Sequence, residues 1–168
     1  MIISIEKLRE LVPSEKDKSD AELRAKIEAL ETFIRKYTNN NFQNRNFRTV
    51  GSVRGGKLEF DATYFKTGDS FQISKSKYND GVYTYGEESA EFYDEENILI
   101  TKVVYPSDVV AGVVNLFKWD IQNRDKVGVK SESLSRYSVT YYDLESNSIG
   151  GYPKGLMAFL TPYIKAQF

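Results

Sequence analysis

The N-terminal part of the chain places apolar residues at helical spacing. In "SIEKLRELV", residues 4–12, they recur every three or four positions, which predicts a short amphipathic helix ending at Pro13. A second helix is predicted after Ser19, which lies three residues before Glu22 in a capping-box pattern. Its apolar stripe is Leu23, Ile27, Leu30, Ile34 and Tyr37. The run "TNNNFQNRN", 38–46, is expected to stop this helix because asparagine side chains compete for backbone hydrogen bonds.

From about Phe47 to Tyr105, apolar and polar residues alternate along the chain. "KLEFDATYF", residues 57–65, has the pattern of a half-buried strand, and "SFQIS", "GVYTY" and "NILITKVVY" predict further strands. Turn sequences such as "NDG" separate them. The glycine-rich "GSVRGGK", 51–57, lacks the spacing of a phosphate-binding loop and is expected to be a hairpin connection. We expect a small antiparallel barrel or a curled sheet.

Helical periodicity returns after Pro106. One face of the predicted helix carries Val110, Val113, Val114, Phe117 and Ile121. "NRDKVG" ends that helix, "SNSIGG" forms a glycine-containing joint, and a last helix begins at Pro153, which Pro162 limits or kinks. The predicted fold is α+β: a small helical bundle of about four helices with an inserted small antiparallel β-barrel or sheet and an extended C-terminal arm. Residues 1–46 and 105–168 form the helical core and arm, and 47–104 the inserted β-rich subdomain.

Composition narrows the classes of function. The 168 residues suffice for a hydrophobic core, and a net charge of -1 argues against a general nucleic-acid coat protein. The chain has no cysteine and no histidine, so disulfides, thiolate chemistry and the commonest general base are excluded. Only three apolar residues follow Met1 before charges begin, so neither a signal peptide nor a membrane span is expected.

No catalytic or cofactor motif is found in the sequence. The acids between residues 87 and 96 lack the alternation of a calcium loop, so we expect no bound metal and no cofactor. The serines around Arg136 lack a histidine base and make a poor catalytic set. A metal-dependent nuclease using Asp/Glu clusters remains a third alternative without a motif; metal-dependent DNA cleavage that persists through purification would support it. We expect a non-enzyme.

Charge is segregated along the chain. No acid occurs between Glu31 and Glu59, and no base between residues 85 and 97. Three interpretations fit this segregation: two solvated faces, patches that meet head to tail between identical subunits and close a ring, or a basic segment that faces DNA phosphates. The inter-subunit charge candidates are Arg35, Lys36, Arg45, Arg48, Arg54, Glu87, Glu88, Glu91, Asp94, Glu95 and Glu96.

The stretch "SESLSRYSVTYYD", residues 131–143, crowds serines and tyrosines around Arg136. It fits either a polar surface loop or an arm. Tyr137, Val139 and Tyr141 alternate and have high strand propensity. Arginine and tyrosine are enriched at binding hot spots, so we favour an arm that adds to a neighbour's sheet edge or lies along another subunit.

Several segments resemble the head-tail connector proteins of long-tailed bacteriophages, also called head completion or adaptor proteins. The most specific are "GVKSESLSRYSVTYYD", 128–143, and "GYPKGLMAFLTPYIKAQF", 151–168. The helical segments "DAELRAKIEALETFIRKYTNNNF", 20–42, and "SDVVAGVVNLFKWDIQNRDKVGVKSES", 107–133, are also similar to this family. The strand-rich block departs from its simplest members. We expect that block outside the ring or against the capsid; normal infectious particles without residues 48–104 would contradict this.

The resemblance implies a structural virion protein. Such subunits assemble in the host cytoplasm as a homo-oligomeric, usually dodecameric ring under the portal, at the head-tail interface. The ring extends the DNA channel without sequence-specific binding and docks a stopper or tail-completion protein, with no membrane involved. The portal-facing candidates are Arg136, Tyr137, Val139, Tyr141, Tyr142, Tyr152, Phe159, Tyr163 and Phe168.

A nucleic-acid-binding module is the alternative function. Here the β-rich block would act as an OB-like platform for a single strand. Tyr64, Phe71, Tyr83 and Tyr85 would stack bases, and the backbone would be held by Arg48, Arg54 and Lys57.

Overall fold

A computed structural model describes residues 1–86, 90–123, 131–134, 137–140 and 148–166. A helical part is joined to a curled five-stranded antiparallel sheet, and two short two-stranded hairpins lie near the C-terminus in sequence. The predicted α+β class, with a helical part and a sheet insertion, is therefore confirmed.

The helical part contains α1 (Ile5–Leu11), α2 (Asp20–Thr38), α3 (Ser107–Asn123) and a C-terminal 3-10 helix (Lys154–Tyr163); a short 3-10 turn (Pro13–Glu15) follows α1. The predicted capping box starts α2: the Ser19 hydroxyl accepts from the Glu22 amide, and the Glu22 carboxylate accepts from the Ser19 amide. Asn39 ends α2 in the left-handed region, at φ 46°. Local capping therefore fixes both ends of the longest helix.

The first hydrophobic core lies between these helices. The predicted α2 stripe supplies much of it, together with α1 and the 3-10 helix. Of the predicted α3 stripe, Val113, Val114 and Phe117 lie in this core and Val110 packs against it, but Ile121 is 41% exposed. Gly112 on α3 is needed for close approach, because a methyl group there would come within 2.5 Å of the Phe159 ring. Side chains with no exposed surface include Leu8, Leu23, Ile27, Phe117 and Leu160.

The sheet has the strand order β2-β1-β5-β3-β4. Its strands are β1 (Gln43–Arg54), β2 (Lys57–Glu59), β3 (Ser70–Ser74), β4 (Gly81–Thr84) and β5 (Glu95–Val103). β1 pairs with β5 from Gln43↔Val103 to Val53↔Glu95, with two register shifts that bend it. The second, smaller core comprises Val53, Phe71, Ile73, Ile98 and Ile100.

Two sequence predictions for the sheet need correction. The asparagine-rich run ends α2, but β1 already begins at Gln43, because pairing with β5 overrides the local turn preference. The strand predicted over 57–65 covers only Lys57–Glu59. Asp61 accepts hydrogen bonds from the backbone and hydroxyl of Thr63, and this Asx turn leads the chain away from β1.

The expected hairpin connection is present at Gly55 and Gly56, whose φ values are 56° and 73°.

Buried Glu31 joins the helical part to the sheet. Its Oε1 atom accepts hydrogen bonds from the Ser70 hydroxyl at 3.0 Å and from the Tyr105 hydroxyl at 2.8 Å. Burial, with the Glu31 charge next in importance, raises the pKa of Tyr105 far above its ordinary value. The Met1 amino group donates to the Gly68 carbonyl nearby, and burial lowers its pKa. A polar network thus links the two cores; the domain boundaries at 47 and 104 remain predictions.

Two short hairpins follow α3. β6 (Ser131–Leu134) pairs with β7 (Tyr137–Thr140), and β8 (Ser148–Ile149) pairs with β9 (Tyr152–Pro153). Gly150 and Gly151 form the second turn with φ of 59° and 81°, a conformation that favours glycine. The glycine pair at the end of the predicted joint therefore forms a tight turn.

Candidate interaction surfaces

The backbone of the C-terminal arm forms the β6–β7 hairpin. Tyr137 and Val139 lie in β7. Four of the portal-facing candidates lie outside the described residues: Arg136, Tyr141, Tyr142 and Phe168.

Tyr152 is part of the chain's own core and not a contact surface. Tyr152 is 5% exposed, and its hydroxyl donates a hydrogen bond to Asp120 Oδ2 at 2.9 Å. Its ring meets the Trp119 ring edge-on at 5.6 Å between centroids. We therefore correct the sequence-based assignment of Tyr152 to the portal-facing set.

Phe159 and Tyr163 also pack within the chain. The Phe159 ring lies over Gly112 of α3. The Tyr163 hydroxyl donates to the Asp108 carboxylate at 2.8 Å, and its ring lies 5.7 Å from that of Phe42. Both residues are half-buried. Their packing attaches the 3-10 helix to the bundle, and the portal contact predicted for both stays a prediction.

The basic candidates lie at the end of α2 and along β1: Arg35, Lys36, Arg45, Arg48 and Arg54. Arg48 Nε donates to the Thr101 hydroxyl at 3.0 Å, which holds this side chain along the sheet. Arg54 forms an ion pair with Glu96 at 3.2 Å, with both side chains about two-thirds exposed. Such an exposed pair adds little stability.

The acidic candidates that the structure describes lie before β5 and at its start: Glu91, Asp94, Glu95 and Glu96. Glu87 and Glu88 lie outside the described residues. Because β1 and β5 are antiparallel neighbours, the basic and acidic segments share one sheet, and Arg54 meets Glu96 within the same chain. Asp94 accepts from the Gly56 amide at 2.9 Å. The head-to-tail contact between subunits stays a prediction. Arg54, Glu96 and Asp94 already have partners within the chain.

Glu95 fixes the loop between β3 and β4. Its carboxylate accepts hydrogen bonds from the Ser76 hydroxyl, the Lys77 amide at 2.8 Å and the Asn79 side chain at 3.2 Å. Asn79 is 1% exposed and also exchanges two hydrogen bonds with the Tyr93 backbone. The Ser76 hydroxyl, followed by the Lys77 amide, lowers the pKa of Glu95.

The lowered pKa of Glu95 predicts an acid-sensitive loop. Its stabilising contribution is fully present above the ordinary value of 4.5 and is lost as the pH falls through the lower folded value. Glu95→Gln should remove this dependence. We expect the urea midpoint of the wild type to fall more steeply below about pH 4.5 than that of the variant. The exposed Glu91→Gln serves as the control; identical pH profiles for the wild type and Glu95→Gln would contradict the assignment.

Two exposed tyrosines on this loop region were not singled out from the sequence. Tyr78 and Tyr93 are 58% and 63% exposed, with ring centroids 6.2 Å apart. The Glu95 and Asn79 hydrogen bonds fix the backbone beneath both. Because the pairing depends on contacts between residues 15 positions apart, no local pattern identifies it.

The stacking platform proposed for nucleic acid is only partly available. Phe71 is 3% exposed and belongs to the second core, so its assignment to base stacking is corrected. Tyr83 and Tyr85 are half-buried against that core. Tyr64 is 63% exposed, and its ring lies 5.4 Å from that of Phe47. Of the four stacking candidates, Tyr64 alone is exposed, and it packs against half-buried Phe47.

An aromatic cleft of about 690 Å³ lies between the edge strands β2 and β4. Its walls include Leu58 from β2 and Tyr83 from β4, and Phe92 lies at its side. The Phe60 and Tyr85 rings approach to 5.8 Å across the opening. Aromatic rings, rather than a ladder of backbone hydrogen bonds, line the open side of the curled sheet.

A buried charge network lies at the other end of the helical part. Glu15 has no exposed surface, and Lys26 Nζ lies 3.9 Å from its Oε1 atom and 2.8 Å from Asp120 Oδ2. Lys18 Nζ lies 3.3 Å from Glu15 Oε2. A cleft of about 670 Å³ opens beside Lys26 and Tyr152. No local pattern in the sequence indicates this network, because its members come from three separate elements.

The described residues contain no group of three or more side chains suited to hold a metal ion. None of the described helices is long and apolar enough to cross a membrane. A scan against models of known protein families finds no match, and a search of curated proteins finds no similar sequence.

Proposed function

We propose that the chain is a structural subunit of a bacteriophage head-tail connector ring. One observation supports the proposal: the segment with the most specific resemblance to that family contains the β6–β7 hairpin. The resemblance also covers α2, α3 and the C-terminal 3-10 helix. The partners are further copies of the chain, the portal protein and a stopper or tail-completion protein. Packaged DNA passes through the ring without sequence-specific binding.

Such a subunit acts by burying surface and needs no catalytic group. A stable contact between neighbouring subunits buries on the order of 800 Å² per partner. Ordering an arm on docking weakens the first encounter, and many copies in a ring offset that cost through multivalency. On this proposal the arm residues 136–142 face the portal, and the sheet lies outside the ring or against the capsid.

The test is the molar mass of the purified chain by light scattering, alone and mixed with the portal ring of the same phage. The wild type should co-migrate with the portal. A variant with residues 131–140 replaced by a Gly/Ser segment of equal length should not. Deleting everything from residue 131 would be a poor test, because Met157 and Leu160 are buried in the core.

A matched control replaces exposed Tyr78 by serine and should bind the portal like the wild type. Equal urea midpoints would show that all three proteins fold. A wild type that ignores the portal, or an arm variant that binds it unchanged, contradicts the proposal.

Nucleic-acid binding remains the second candidate, supported by exposed Tyr64, which packs on Phe47, and by two exposed arginines of β1, Arg45 and Arg48. On this proposal, affinity for single strands falls steeply with salt because phosphate contacts release counterions. Arg45→Ala should lower the slope of log K against log salt by about one. Affinity independent of salt, or no measurable binding at low salt, excludes this function.

A further inference from the structure

One end of the β1–β5 ladder carries an exposed arginine on a bulge. A register shift between the two strands leaves residues 44–47 of β1 as the bulge. The Asn46 amide donates to Asn44 Oδ1 at 3.1 Å, and this Asx turn fixes its shape. Arg45 lies between these two asparagines, is exposed, and forms no ion pair with a described residue. Bulges re-aim side chains out of a sheet, and this one presents an unpaired guanidinium group.

The opposite end of the ladder carries an exposed tyrosine between two carboxylates. Tyr93 is 63% exposed, and Glu91 and Asp94 beside it are exposed as well. Buried Asn79 exchanges two hydrogen bonds with the Tyr93 backbone and so fixes the position of that residue. A guanidinium group stacks on aromatic rings and pairs with carboxylates. This acidic patch of Tyr93, Glu91 and Asp94 is therefore suited to receive an arginine.

The basic groups close to the acidic patch are already engaged within the chain. Lys77 Nζ lies 4.9 Å from the centroid of the Tyr78 ring, so that ring already has a cation over it. Arg54 pairs with Glu96. Among the described residues, no lysine or arginine lies over the Tyr93 ring. An arginine for Tyr93 therefore has to come from elsewhere.

We propose that Arg45 of one copy of the chain stacks on Tyr93 of a second copy and pairs there with Glu91 and Asp94. This rests on the proposed ring of identical subunits. Charge complementarity favours a second copy as the partner, because every copy supplies one unpaired arginine and one acidic patch that lacks an arginine. A single contact then uses both.

The two patches lie too far apart to meet within one chain. β5 from Glu95, just after the acidic patch, to Thr101, which pairs with Arg48 next to the bulge, spans roughly 20 Å. A contact that joins opposite ends of two identical chains is heterologous. Such contacts close into a ring when the rotation between neighbours permits.

Disulfide cross-linking tests the contact, because the chain has no native cysteine. Asn46→Cys marks the bulge, and Glu91→Cys marks the acidic patch while leaving Tyr93 in place. In the control pair, Val50→Cys replaces Asn46→Cys; Val50 is 58% exposed on β1 of the same sheet. Single variants are mixed pairwise and oxidised, with and without the portal ring. Urea midpoints establish that each variant is folded.

Docking raises the effective thiol concentration from micromolar to millimolar, so the Asn46–Glu91 pair should cross-link on the order of a hundred-fold faster than the Val50–Glu91 pair. Adding Arg45→Ala to the first copy, or Tyr93→Ala to the second, should return the rate to that of the control. Equal rates for the two pairs overturn the inference. So does a rate that Tyr93→Ala leaves unchanged, because Arg45 then meets something other than this ring.

The symmetry of the contact is tested with the same variants. An Asn46→Cys/Glu91→Cys double variant should give a series of chains linked to one another. A product linked only within one chain overturns the inference, as does Asn46→Cys that cross-links to itself as fast as to Glu91→Cys. Portal binding without the cross-link leaves the proposed function standing and removes this contact; the cross-link without portal binding does the reverse.

Discussion

Replacing Lys26 by methionine is expected to destabilise the folded chain by about 3–5 kcal/mol. Lys26 lies between two buried carboxylates, 2.8 Å from Asp120 Oδ2 and 3.9 Å from Glu15 Oε1. Methionine keeps the apolar stem but removes the charge. The Glu15 carboxylate, which receives no hydrogen bond from a described donor, is then left with Lys18 alone. Removing one member of a buried ion pair is costly because the other charge stays desolvated.

The measurement is the free energy of unfolding in urea at pH 7. Lys36→Met, at an exposed position of the same helix, should change it by less than about 0.5 kcal/mol. Adding Glu15→Gln to Lys26→Met should recover part of the loss, because it removes the uncompensated charge. A loss below about 1 kcal/mol for Lys26→Met would mean that water or another donor replaces the ammonium group.

The network also joins the end of α3 to β9. Asp120 lies three residues before the end of α3, and Tyr152, whose hydroxyl donates to Asp120, lies in β9. Lys26 of α2 pairs with the same Asp120 carboxylate, so α2, α3 and β9 meet at these polar groups.

Local signals in the sequence account for the helices and most strands. The Ser19 capping box and the stripes of α2 and α3 identify their elements because apolar spacing decides which helix face is buried. β1 was missed at its start, since Gln43 is in the sheet only through pairing with Val103, which is 60 residues away. The strand predicted to continue to Phe65 ends at Glu59, because Asp61 favours a turn.

The sequence predicts the part of the candidate site that lies within one continuous segment, the arm. The alternation in 137–139 indicated a strand, and β7 lies there. Tyr152 was misassigned because an aromatic residue near a flexible-looking glycine pair has the same local pattern whether its ring is exposed or packed on Trp119. Glu15 and Asp120 both come near Lys26 only in the folded chain, so the sequence does not show that these charges form a network. Sequence pattern gives elements, and long-range packing decides which side chains stay available.

Phe117→Ala is expected to cost about 3–5 kcal/mol, as for other buried aromatic truncations. Phe117 has no exposed surface and lies in the first core, with Lys26 Nζ 4.3 Å from its ring centroid. Phe117→Leu keeps most of the apolar volume but removes the ring face, so we expect a loss of about 1–2 kcal/mol.

A double-mutant cycle between Phe117→Leu and Lys26→Met separates packing from the ring–cation contact. We expect a coupling energy of about 0.5–2 kcal/mol, because the ammonium group faces the ring in a partly desolvated site. Phe71→Leu provides the matched cycle: it is equally apolar and buried, but it belongs to the second core, so its coupling to Lys26 should be near zero. Equal coupling in both cycles would mean that Lys26 acts on global stability and not through Phe117. A near-zero value in both would assign the whole Phe117 effect to packing.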